Sequence, residues 1–239
     1  VLLDYHVNYG RWTEIGAMRR MFNTAREDGL ASWFMITQTL LAGLTLWLIY
    51  LGVKNQSAPR WKVMGWLILA AFFTYMAVDD AVHLHERLGS TYKEMTDGSG
   101  FVQDLFPSYT WQLLFLPAFA AFGLFAFIFL WRELDTKQSR VLLITALSCW
   151  VLAVGMDFVE GLDEDHRWNL YTVISERYEI IDEWTEARFQ RSAYRTLRHF
   201  SKSIEEFFEM LGMSIFWFLF LRHLAEAPGD LRVRFLRRE

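Results

Sequence analysis

The stretch LASWFMITQTLLAGLTLWLIYLGV, residues 30–53, decides the class of fold. It holds no charged side chain, and about 20 apolar residues at 1.5 Å each cross a hydrocarbon core of about 30 Å. In lipid an unpaired backbone group costs several kcal/mol, so such a run must be helical. Of its few polar members, Thr37 and Gln38 are expected to hydrogen-bond to neighbouring helices, as is Ser148 further on.

Four further runs follow. Residues 61–82 are apolar from Trp61 to Val78 apart from Lys62, and Asp79-Asp80 then interrupts them. Residues 109–131 come after Pro107 and include Pro117 and Gly123. Residues 141–160 carry Asp157 near their end, and residues 204–222 close at Arg222. Trp33, Trp61, Trp111 and Trp131 stand near span ends, where amphipathic rings suit the membrane interface. The pattern predicts an all-α integral membrane protein with five transmembrane helices in a bundle.

Residues 30–223 form the five-span domain, with a long loop at 161–203 that carries an amphipathic helix. Residues 1–29 read as an interfacial segment with a short helix around residues 12–22, and residues 224–239 as a basic tail. The hydrophobic content is 53% and the aromatic content 17%, with 11 Trp, which suits interfaces better than a soluble core. A net charge of -4 points to no nucleic-acid partner. The single Cys149 excludes a disulfide framework. No phosphate loop, nucleophile elbow or HExxH helix is present.

Lys and Arg in short loops set orientation. Lys54, Arg60 and Lys62 follow the first span, Arg132, Lys137 and Arg140 the third, and Arg222, Arg232, Arg234, Arg237 and Arg238 the fifth. These regions share one side, expected to be cytoplasmic. The N-terminus is then outside, although Arg11, Arg19, Arg20 and Arg26 count the other way. The expected location is a bacterial inner membrane.

The chemistry gathers at the opposite ends. On a wheel of about 100° per residue, Asp79, His83 and Glu86 share one stripe, with Asp80 beside it and His85 pointing away. Asp157, Glu160 and Glu164 share a face at the end of the fourth span, and Glu205, Glu206 and Glu209 stand at the start of the fifth. Under the five-span topology all three stripes lie at one depth on the extracytoplasmic side. So many like charges at one level need cations, protons or basic partners.

Carboxylates and imidazole at i, i+3 and i+4 on facing helices hold divalent ions in helical bundles. Asp79, His83, Glu86, Asp157, Glu160, Glu206 and Glu209 are the expected ligands, with Asp80 and Glu205 behind them. An oxygen-rich set with one His favours Mn, Fe, Mg or Ca. Only one Glu/His-type helix departs from the di-iron pattern of two Glu-x-x-His motifs. A metal-dependent membrane enzyme follows from this, activating water or oxygen with a spare carboxylate as base.

Other accounts stand beside it. Arg87, Arg167, Arg195, Arg198 and Lys202 supply partners for a structural salt-bridge network. The N-terminal dipole of the last span explains Glu205 and Glu206 without a ligand, but not the acids at helix C-termini. The Trp- and Phe-rich spans and the charged loop also fit a non-catalytic subunit that packs with partner membrane subunits or with copies of itself. A proton- or ion-coupled carrier is the third reading, against which stand the boundary position of the acids and the lack of paired interrupted helices. His166 is assigned to a solvated loop and His199 to the loop helix.

Overall fold

The computed structural model describes residues 1–95 and 107–226. Most of the basic tail expected over residues 224–239 therefore lies outside the described residues. A short π-helical turn, Asp4–Tyr9, opens the chain, followed by α1 (Gly16–Met21), α2 (Leu30–Asn55), α3 (Arg60–Val82) and α4 (Leu84–Met95). Then come α5 (Thr110–Glu133), α6 (Lys137–Glu160), α7 (Leu170–Arg177), α8 (Glu179–Phe189) and α9 (Ala193–Glu226). No strand occurs among the described residues.

Four of these, α2, α3, α5 and α6, are long and apolar enough to cross a membrane. The short helix expected around residues 12–22 is the single turn-and-a-half of α1. The segment expected as a loop over 161–203 is instead mostly helical. It holds α7 and α8, and its last eleven residues belong to α9, a helix of 34 residues. The reason is local. Gln190 ends α8 in the left-handed region (φ 56°), and Asp182 of α8 accepts the Ala193 N–H at 2.6 Å, capping the first turn of α9.

The core lies between α2, α3, α5, α6 and α9. Leu46, Trp66, Phe73, Leu143, Phe216 and Phe220 are wholly or almost wholly buried there. The Phe73 ring meets Phe216 and Phe220 edge-to-face at 5.7 and 5.2 Å, the geometry that the aromatic quadrupole favours. Close approach between the helices comes at small residues. Gly65 of α3 accepts the ring of Phe129 on α5, and Gly212 of α9 accepts Trp150 of α6. Gly89 of α4 lets α5 approach through Trp111.

The helices alternate in direction, which sorts their ends. At one end Lys62 pairs with Glu133 at 2.8 Å, Trp66 donates to the same carboxylate at 3.1 Å, and Arg222 donates to Gln138 at 2.8 Å. At the other end stand the close of α3, all of α4, the start of α5, the close of α6 and the first half of α9. The site lies there.

Candidate functional site

The wheel drawn through residues 79–86 assumes one continuous helix, and the chain breaks it. His83 adopts φ 51° and ψ 46°, a left-handed conformation uncommon outside glycine. Its N–H closes α3 on the Asp79 carbonyl at 2.6 Å, and α4 restarts at Leu84 in a new direction. The stripe Asp79–His83–Glu86 is thus divided between two helices. His85, expected to point away, lies against Asp79: its Nδ1 is 2.5 Å from Oδ2 and its backbone N–H donates to Oδ1 at 3.0 Å. Asp79 is fully buried, and it receives an N–H from the first turn of α4 as well as the imidazole. An acid unfavourably placed for the C-terminus of α3 therefore serves the N-terminus of the next helix.

His83 turns instead toward the segment before α2, where its Nε2 lies 3.4 Å from Glu27 Oε2. Glu86 joins them. One ligand atom from each of Glu27, His83 and Glu86 lies within 4.8 Å of the others. Burial raises the Glu86 carboxyl above its ordinary value, and the charge of Glu27 raises it further. For His85 burial works downward, but the hydrogen bond and charge of Asp79 outweigh it and the imidazole is raised.

The acids of α6 and α9 meet around Lys202. Its Nζ lies 2.7 Å from Glu205, 3.7 Å from Asp157 and 3.9 Å from Glu206. Asp157 also accepts Gln112 Nε2 of α5 at 2.7 Å. Glu160 faces Arg198 at 3.5 Å, and Arg198 donates to the Tyr109 hydroxyl at 3.4 Å. The dipole account of Glu205 and Glu206 does not hold, because α9 begins at Ala193 and both acids sit about three turns inside it, at 3.6 residues per turn.

One cavity of about 240 Å³ takes in most of these groups. Carboxylates of Glu27, Asp79, Asp80, Glu86, Asp157, Glu205, Glu206 and Glu209 border it, with Lys202, His83 and His85 as the basic side chains. Asp80 accepts Thr39 of α2 at 3.2 Å, and Glu205 leaves Oε2 buried without a hydrogen-bond partner among the described residues. The cavity shares Ala25, Glu27, Glu86, Trp111, Asp157 and Lys202 with a wider vestibule of about 860 Å³, where Glu160 stands. Of the seven expected ligands, six border the cavity and Glu160 borders the vestibule. Asp79, Asp157 and Glu160 are engaged by His85, by Gln112 with Lys202, and by Arg198. Among the described residues, only His83 and Glu86 of the seven converge within ligand distance of a third donor.

That third donor, Glu27, belongs to a segment that sequence patterning leaves unstructured. A second polar cluster also escapes the sequence. Asp4, fully buried, accepts His199 Nε2 at 2.7 Å, Ser203 at 2.9 Å, Asn8 at 2.9 Å and Thr24 at 3.0 Å. Burial alone would raise its carboxyl, but these hydrogen bonds, that of His199 foremost, bring it below the ordinary value. The Asp4–Asn8 spacing of four residues hints at a local pair, whereas His199 lies 195 positions away. Tyr9 stacks on His199 at 4.3 Å, so the cluster fixes one wall of the vestibule.

No curated protein and no solved structure matches this chain. A family model described as a domain of unknown function (DUF8692) matches residues 1–224, nearly the whole chain with the site included, and the protein belongs to that family.

Proposed function

We propose that this protein is an integral membrane protein of five spans, α9 supplying the fifth, which binds a divalent cation where its acidic cavity opens to the extracytoplasmic side. The observation that carries the proposal is the convergence of Glu27, His83 and Glu86 at the mouth of a cavity bordered by eight carboxylates and one lysine. Metal–oxygen and metal–nitrogen bonds of about 2.0–2.6 Å put paired ligand atoms up to about 5 Å apart, so small side-chain rotations seat an ion on this triad. Two carboxylates and one imidazole, with further carboxylates from Asp80, Glu206 and Glu209 near by, favour Mn, Fe, Mg or Ca over copper. His83 keeps a left-handed backbone at this point, and strained residues cluster at ligand sites.

The orientation rests on the basic ends of the helices, Lys54, Lys62, Arg132 and Arg222 among them, which gather opposite the cavity. The chemistry such a site offers is activation of bound water, with a neighbouring cavity carboxylate taking the proton.

Metal analysis of the full chain purified in mild detergent, followed by manganese titration, tests the proposal. Near-stoichiometric divalent metal in the wild type, lost in both His83→Ala and Glu86→Gln, is the expected result. A wild type without metal that also fails to take up added manganese, calcium, magnesium or ferrous iron overturns it.

A further inference from the structure

The cavity is amphipathic along its length. Beyond the acids it continues between apolar side chains, with Phe72 and Met76 of α3, Phe119 and Phe122 of α5 and Met213 of α9 on its walls. Gly123 belongs to this apolar half, and a Cβ there would meet no heavy atom within 4 Å, so the wall is open at that point. In the other direction the vestibule carries Arg191, Arg195 and Arg198, and Lys202 follows on the same face of α9, since positions 195, 198 and 202 lie within about 60° on a helical wheel.

These four cations divide into two sets. Arg198 is paired with Glu160, and Lys202 with the acids of the cavity. Arg191 and Arg195 form no ion pair among the described residues. Arg191 lies over the Tyr9 ring at 4.8 Å and hydrogen-bonds to Tyr9, and a guanidinium carries five N–H donors, more than this one contact uses. A planar guanidinium with open donors is the side chain best matched to phosphate. On the far rim stand Asp163 and Glu164, so an anion is drawn to the arginine side.

We infer that the site takes a lipid with a phosphate-bearing headgroup: phosphate on Arg191 and Arg195, glycerol region beside the Glu27–His83–Glu86 triad, and acyl chain in the apolar half past Gly123. The inference rests on the proposed cation site for what happens at the triad, but the lipid contacts themselves need no metal.

Binding of three probes to the detergent-purified full chain, in manganese-containing buffer, provides the test: dihexanoylphosphatidylglycerol, dihexanoylglycerol, which lacks the phosphate, and inorganic phosphate. The phospholipid is expected to bind at least tenfold more tightly than either of the others. The double variant Arg191→Gln/Arg195→Gln is expected to lower phospholipid affinity at least tenfold, to the level of dihexanoylglycerol. Gly123→Leu, which fills the open wall, is expected to lower it by a similar factor. A melting temperature and gel-filtration profile unchanged from wild type certify that both variants are folded. Equal affinity for the phospholipid and dihexanoylglycerol overturns the phosphate contact, and inorganic phosphate binding as tightly as the phospholipid overturns the lipid. Phospholipid binding that survives in both folded variants overturns the whole assignment. Arginine-dependent phospholipid binding by a wild type that takes up no metal supports this inference and sinks the cation site alone.

Discussion

Asp79 and His85 are joined twice, through the imidazole at 2.5 Å and the backbone N–H at 3.0 Å, across a break in the helix at His83. The link spans the point where α3 gives way to α4, and His83 between them faces Glu27.

The link is pH-dependent. The His85 imidazole is raised in the folded protein, so its contribution is complete below the unfolded value of about 6.5 and is lost as pH rises through the folded one. Thermal stability in detergent is expected to fall in the wild type as pH rises above the ordinary imidazole value of about 6.5, and to vary less in His85→Gln. Loss of this charge-assisted bond should cost about 1.5–3 kcal/mol below that value. Parallel melting curves for the two proteins on both sides of it contradict this.

Asp4 anchors the N-terminal segment to α9 through His199 and Ser203. Its carboxyl is lowered in the folded protein, so this anchoring is present above the unfolded value of about 3.9 and is lost as pH falls through the folded one. At neutral pH Asp4→Ala strands several buried donors, a cost of about 1–3 kcal/mol. Hydrogen exchange over residues 4–24 should speed up in the variant while the core of α2 and α3 stays protected. Unchanged exchange there would show that Asp4 does not hold the segment.

Gly65 is the contact point of α3 and α5. An added Cβ would lie 2.0 Å from Phe129 Cε2, and the ring is held by Trp66 at 5.3 Å and Phe125 at 5.7 Å. Gly65→Ala is expected to destabilise by about 1–3 kcal/mol, as overpacking does. Adding Phe129→Leu should recover part of the loss, and a double-mutant cycle measures that coupling. Strictly additive effects would place the contact elsewhere.

The all-helical class was legible in the sequence, as were four apolar helices among the five spans expected, because a charge-free run of residues such as 30–53 has one solution in lipid. So was the meeting of Asp79, Glu86, Asp157, Glu206 and Glu209 at one end of the bundle, which follows once helices of matched length alternate in direction. What local periodicity could not supply is the exchange of roles between the two histidines. A wheel presumes 100° at every step, and a single left-handed residue at His83 resets it. Nor could it place Glu27 beside Glu86, or Asp4 beside His199, since neither pair shares a helix. The sequence alone determined which residues must cross or border an apolar phase, since transfer energy is a property of each residue and its neighbours. Which charges meet, which acid takes Lys202 and which donors converge on one point were decided by the tertiary fold, because Coulomb and hydrogen-bond energies depend on distances between segments remote along the chain.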